Sequence, residues 1–102
     1  MTGQPDFASW RLHDAVLDSV RFDWNDKACV ITLMAFLEVG RDAQPCELRF
    51  SGVTLLALPC SQPWGPSAHV NGQTQTDGNF VIQMQSGDEI QVTARSVQLV
   101  RK

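Results

Sequence analysis

Two short runs near the C-terminus restrict the fold more tightly than anything else in the chain. Phe80, Ile82 and Met84 alternate with Val81, Gln83 and Gln85, and Ile90, Val92 and Ala94 alternate with Gln91, Thr93 and Arg95. A period of two places successive side chains on opposite faces of a strand, so each run has one apolar face. Ser86-Gly87-Asp88 between them leaves room for a tight connection, with Gly87 suited to a left-handed position. The two runs therefore predict an antiparallel hairpin. Val97, Leu99 and Val100 continue the apolar pattern and predict that its second strand extends to the C-terminus.

The same period recurs upstream. Val20, Phe22 and Trp24 alternate with Arg21 and Asp23, whereas Ala15 and Leu17 fall in the opposite phase. A bulge near Asp18 and Ser19 reconciles the two halves of one strand from about Ala15 to Trp24. Phe7, Trp10 and Leu12 just before it are compatible with one short helical turn, and residues 1–6, with Gly3 and Pro5, are expected to be loose. Asn25-Asp26-Lys27 predicts a hairpin turn. Ala28 to Val39 is apolar on both faces, which predicts a central strand covered above and below. After a loop at 40–45, Cys46, Leu48 and Phe50 mark a one-sided strand. Gly52 permits a bend, and Val53 to Leu58 forms a second fully apolar segment, expected in the core. Asn71 to Asn79 is polar and rich in turn residues, and is read as a connection. The result is an all-β domain: six or seven antiparallel strands stacked as a sandwich or curled into a partly open barrel, with at most one short helical turn.

At 102 residues the chain is one domain, residues 1–102, and its 43% hydrophobic and 19% charged content are those of a globular protein. The formal charge of −3 and the acidic pI near 5.1 argue against nucleic acid as a partner, because a broad basic footprint is missing. All the excess charge lies in residues 1–26, which hold five aspartates against Arg11 and Arg21. Of these, Asp14, Asp18, Asp23 and Asp26 form either a solvated edge or a weak steering patch for a basic partner. No apolar run approaches the roughly 20 residues of a membrane helix. The first residues lack the basic and apolar regions of a signal peptide, so a cytoplasmic location with no membrane contact is expected. Cys29, Cys46 and Cys60 contain no Cys-x-x-Cys pair, which leaves a disulfide framework or a metal site without support.

Between those strands lies Pro59-Cys60-Ser61-Gln62-Pro63-Trp64-Gly65-Pro66-Ser67-Ala68-His69-Val70-Asn71, with three of the five prolines. Each proline fixes φ and removes a backbone donor, so the segment is a stiff loop and not a central strand. From Phe50 to Thr76 there is no Asp, Glu, Lys or Arg. An uncharged, proline-shaped, aromatic surface is the composition expected at the centre of a protein–protein contact, with another protein or with its own copy. Trp64 is the candidate anchor, and Pro63, Gly65, Pro66, Ser67, His69 and Asn71 are the candidate contacts around it. The competing reading is a rigid lid whose indole seals one end of the core. A small-molecule pocket at the same loop is the alternative function. Cys60 with His69 has the ingredients of a thiolate–imidazole nucleophile, but it lacks an orienting third residue, so no catalytic residue and no cofactor are expected. His13 and Asp14, as neighbours on a strand, are expected to point apart, leaving Asp14 a capping or edge role.

Leu12-His13-Asp14-Ala15, followed by Val20, Phe22 and Trp24 and an apolar strand from Ile31, resembles the opening of a group of small uncharacterised bacterial β domains. Some of those are immunity-type proteins encoded near contact-dependent or polymorphic toxins. The resemblance covers about the first third of the chain and implies a non-enzymatic protein that neutralises a partner. It implies no particular functional residue.

Overall fold

Leu48, in the middle of the chain, shows how the layers form. It lies opposite Ile31 on one neighbouring strand and opposite Leu99 on the other, and all three face the same side of their sheet. A computed structural model describes residues 7–102; the loose segment expected at 1–6 lies outside them. Eight strands are present: β1 (Val16–Asp23), β2 (Ala28–Ala35), β3 (Gln44–Ser51), β4 (Leu55–Ala57), β5 (Val70–Thr76), β6 (Asn79–Met84), β7 (Glu89–Thr93) and β8 (Ser96–Arg101). They make two four-stranded antiparallel sheets, in the orders β1-β2-β3-β8 and β4-β7-β6-β5. The sheets stack as an open sandwich and do not close into a barrel.

The alternating residues form the interior. Cys29, Ile31, Leu33, Cys46, Leu48, Phe50 and Val97 from the first sheet meet Phe80, Ile82, Met84, Ile90 and Val92 from the second. Phe7, on a 3-10 turn at Phe7–Ser9, plugs this space with no exposed surface. Its ring lies edge-on to Phe80 at 5.1 Å, Trp10 at 5.7 Å and Phe50 at 6.3 Å between centroids. Burial of each such side chain stabilises the fold by roughly 1.5–3 kcal/mol before entropy is counted. The buried Cys29 and Cys46 behave as small apolar groups, and burial pushes the Cys29 thiol up to about 11.

The predicted bulge is present: register slips between Leu17 and Ser19, leaving Asp18 as the extra residue. Several expectations need correction. The segment read as a connection, 71–79, is mostly strand β5. It lies at the edge of its sheet with β6 as its ladder partner, and it meets the 3-10 turn through polar bonds from Gln73 Nε2 to the Phe7 and Trp10 carbonyls, so it needs no apolar alternation. Its Asn71-Gly72 pair marks a bulge near Val70, not a turn. Strand β2 is central but covered on one face only, and it ends at Ala35, not Val39. Met34 on its outer face is 39% exposed, because a two-layer sandwich leaves each sheet a solvent side.

Val53 is buried, yet Leu55 and Leu58 are 49% and 43% exposed, since β4 is a three-residue edge and not a core strand. Nor does the last strand simply continue β7. Ala94 and Val97 are both buried three residues apart, which breaks the period of two and carries the chain across to the first sheet. At that corner Arg95 N–H donates to Ser51 C=O at 2.9 Å. Gly52 is required beside it: its φ is +68°, and a Cβ there would sit 2.6 Å from Arg95 Nε.

Candidate partner-binding loop

The chain leaves β4 at Ala57 and must return to start β5 at Val70, crossing the end of the β6–β7 hairpin on the way. Asp88, just past that hairpin turn, fixes the crossing. Its carboxylate accepts Ser61 N–H at 2.9 Å, Ser61 Oγ–H at 3.0 Å, Gln62 N–H at 3.0 Å and Ser86 Oγ–H at 2.8 Å. Burial works against the charge of this carboxyl. The bonds from Ser86 and Ser61 and from the Gln62 and Ser61 amides outweigh burial and hold its pKa below the usual aspartate range. Trp64 N–H then donates to Ser86 C=O at 2.9 Å, and Gly65 N–H closes a turn onto Gln62 C=O at 3.0 Å. The loop is thereby tied to the hairpin at both backbone and side-chain level.

Gly87 completes the seat. Its φ is +92°, and a Cβ there would approach Pro63 Cγ to 2.7 Å and Trp64 Cδ2 to 2.9 Å. Pro63 and the indole therefore lie directly on the glycine backbone. The rest of the indole faces solvent: Trp64 is 73% exposed. It does not seal the core, which Phe7 and its aromatic neighbours fill instead. Pro63, Pro66, His69 and Asn71 are exposed and Gly65 and Ser67 are half-buried, so all seven sequence-predicted residues reach solvent, Asn71 from strand β5 and the other six from the loop. The concavity next to Trp64, bounded by Asn71, Gln83, Met84 and Glu89, holds about 100 Å³.

The far end of the loop is anchored to the other sheet. Leu17 N–H donates to Ala68 C=O and Val70 N–H to Ala15 C=O, both at 2.8 Å, so residues 68–70 bridge β1 and the second sheet. His69 N–H is held by Ser67 Oγ at 3.1 Å. The expectation that His13 and Asp14 point apart is overturned. They occupy a turn and not a strand, Asp14 has φ +67°, and His13 Nε2 lies 3.6 Å from Asp14 Oδ2. His13 Nδ1 meets Asn71 C=O at 2.6 Å, Gln85 Nε2 donates to Asp14 Oδ1 at 2.7 Å, and Asp14 N–H donates to Val70 C=O at 2.8 Å. The Leu-His-Asp turn thus stitches the start of β1 to the start of β5.

Cys60 is exposed and its thiol donates to Leu58 C=O at 3.6 Å, so it is turned to its own backbone and not to His69. Asp18, Asp23 and Asp26 are exposed along β1 and the turn after it, with Asp23 Oδ1 accepting Asp26 N–H at 2.9 Å. Among the described residues no cluster of His, Cys, Asp and Glu is arranged to hold a metal, and no helix is long and apolar enough to cross a membrane. The residues that sequence reasoning passed over are Ser86, Gly87 and Asp88, which looked sufficient as a hairpin turn. The faint signal was an acid placed directly after the glycine, facing a long segment with no cation to pair it. No protein-family model matches the chain, and no curated protein or solved structure matches it either.

Proposed function

We propose that this chain is a non-enzymatic protein-interaction domain whose contact surface is the loop 59–71, with Trp64 as its anchor. The supporting observation is the combination of an indole 73% exposed with a loop held rigid from beneath by Asp88 and Gly87. A side chain that is already positioned loses little entropy on docking, and tryptophan is enriched among the residues that dominate interface energies. The neutral loop is bordered by Asp14, Asp18 and Glu89, which favours a partner with an apolar centre and a basic rim. Neutralisation of a toxin in the manner of immunity-type proteins is the concrete version of this reading.

The small-molecule alternative is weighed by the hollow beside Trp64. At about 100 Å³ it falls short of the roughly 300–1,000 Å³ of drug-sized ligand sites. A shallow surface fits a protein partner better. The test is a calorimetric titration of this chain against the protein encoded beside it. Trp64→Ala is expected to weaken that complex by more than about 2 kcal/mol while the circular dichroism spectrum is unchanged. Equal affinity for both forms removes the anchor.

A further inference from the structure

At the opposite end of β1 from the Ala68–Val70 bridge, the sandwich gapes. Phe22, Trp24, Val53, Leu55 and Leu56 line an apolar groove of about 470 Å³ between the edge strand of one sheet and the edge strand of the other. Two large side chains at its rim are left in solvent, Trp24 at 74% and Leu55 at 49% exposure. The indole of Trp24 stands edge-on to Phe22 at 5.7 Å and carries Lys27 Nζ 4.2 Å from its ring centre.

The backbone beside this groove is unpaired. Leu17 turns its N–H outward, to Ala68, and the extra residue at Asp18 advances the alternation by one. Beyond the bulge, Val20 and Phe22 stand opposite Ile31 and Cys29, so it is their N–H and C=O groups that face away from β2. Among the described residues no strand pairs with that outer edge. The side chains of the same two residues point inward and pack against the core. A segment hydrogen-bonded to Val20 and Phe22 would therefore direct its own alternate side chains into the groove.

We infer that the outer edge of β1 from Ser19 to Asp23 accepts an extended segment of a partner protein as an added strand, with two apolar side chains filling the groove and basic residues on either side. The charge pattern chooses between the occupants of such an edge. Asp18, Asp23 and Asp26 flank it, Arg21 stands exposed at its centre, where an incoming strand would place a neutral residue, and Lys27 is engaged on Trp24. A second copy pairing antiparallel over Ser19–Asp23, with Val20 opposite Phe22, sets the two Arg21 side chains directly against each other, a like-charge arrangement that disfavours self-association. A strand flanked by Lys or Arg meets complementary charge instead. Strand addition of this kind takes affinity from main-chain bonds and selectivity from alternate side chains. The inference concerns a different edge of the molecule from Trp64 and does not depend on it.

The probe is the capped peptide Ac-Lys-Leu-Thr-Val-Lys-amide, with Ac-Glu-Leu-Thr-Val-Glu-amide as its charge-inverted control, titrated into the full chain and followed by amide NMR and Trp24 indole shifts. The basic peptide is expected to protect the Val20 and Phe22 amides from exchange, and the acidic one to bind at least about tenfold more weakly at low salt. Val20→Pro removes the outward donor without touching the ladder to β2, and Leu55→Asp puts charge in the groove. Each is expected to abolish the indole shift while the remaining spectrum stays native. Trp64→Ala leaves the peptide affinity unchanged, which separates this edge from the loop. Absence of protection at both amides, equal binding of the two peptides, or dimerisation of the chain through β1 in sedimentation overturns the inference.

Discussion

The carboxylate of Asp88 receives the backbone N–H of Gln62 at 3.0 Å from one oxygen and 3.2 Å from the other, across 26 residues of chain. The proline loop has little core of its own, and its order comes from a charge placed beneath it on the hairpin turn. Charge-assisted bonds to backbone N–H groups are the stronger kind, so this one acid sets the loop's position.

Asp88→Ala should free the loop before it unfolds the domain. Hydrogen exchange at the Ser61, Gln62 and Trp64 amides is expected to speed up by more than about tenfold, while amides of β2 and β3 keep their protection until global unfolding. Asp88→Asn keeps the shape and loses the charge, so it should fall between wild type and Ala. Uniform loss of protection across both sheets would show that the carboxylate supports the whole fold and not the loop.

The same carboxyl gives a pH dependence. Its folded pKa lies below the unfolded value of about 3.9. Its contribution is therefore complete above that value and disappears as pH falls through the lowered native one. Protection factors at Ser61 and Gln62 should be constant from neutrality to about pH 5, then drop below about pH 4 ahead of the core amides. In Asp88→Asn that early acid step should vanish.

Gly87→Ala combines a positive φ with a Cβ that meets both Pro63 and Trp64. It is expected to destabilise the protein by more than about 1 kcal/mol in urea unfolding and to shift the Trp64 emission. Gly40 has a positive φ but nothing within 4 Å of its missing Cβ. Gly40→Ala should be the milder change and leave the indole undisturbed.

Cysteine labelling separates surface from core. Cys60 is exposed, whereas Cys29 and Cys46 are buried and both thiols are raised by that burial. Under native conditions an alkylating reagent should add to one thiol per chain, at Cys60, with the other two reacting after denaturation. Replacing Phe7 by Ala should cost about 3–5 kcal/mol through the cavity it leaves, and should release the two protected thiols at lower denaturant.

Much of the sandwich could be read from alternation. Phe80-Ile82-Met84 and Ile90-Val92 each carry their period on one face, and the phase slip at Asp18 is visible because Leu17 and Val20 both need the interior. What escaped the pattern had a physical reason each time. Strand β5 is polar because it joins the 3-10 turn by hydrogen bonds from Gln73 to the Phe7 and Trp10 carbonyls and not by an apolar face, and Leu55 and Leu58 are exposed because β4 is too short to be covered. The stretch from Pro59 to His69 was legible as a stiff surface loop from its prolines, and Trp64 as its prominent side chain, but the loop ends two residues sooner than its composition suggested, since Val70, which is buried, and Asn71 open β5. The clamp beneath it was not, since Asp88 and Gln62 are joined only by tertiary structure. The contact of His13 with Asp14 was hidden likewise, by a left-handed Asp14 that no periodicity announces.

The exposed indole on this clamped loop is proposed as the place where a protein partner docks. The most direct measurement is the calorimetric affinity of wild type, Trp64→Ala and Asp88→Ala for the protein encoded alongside. Trp64→Ala is expected to lose more than about 2 kcal/mol with the fold intact, and Asp88→Ala to lose affinity through a loop no longer ordered beforehand. Wild-type affinity in both variants, with complex formation undisturbed, would contradict it.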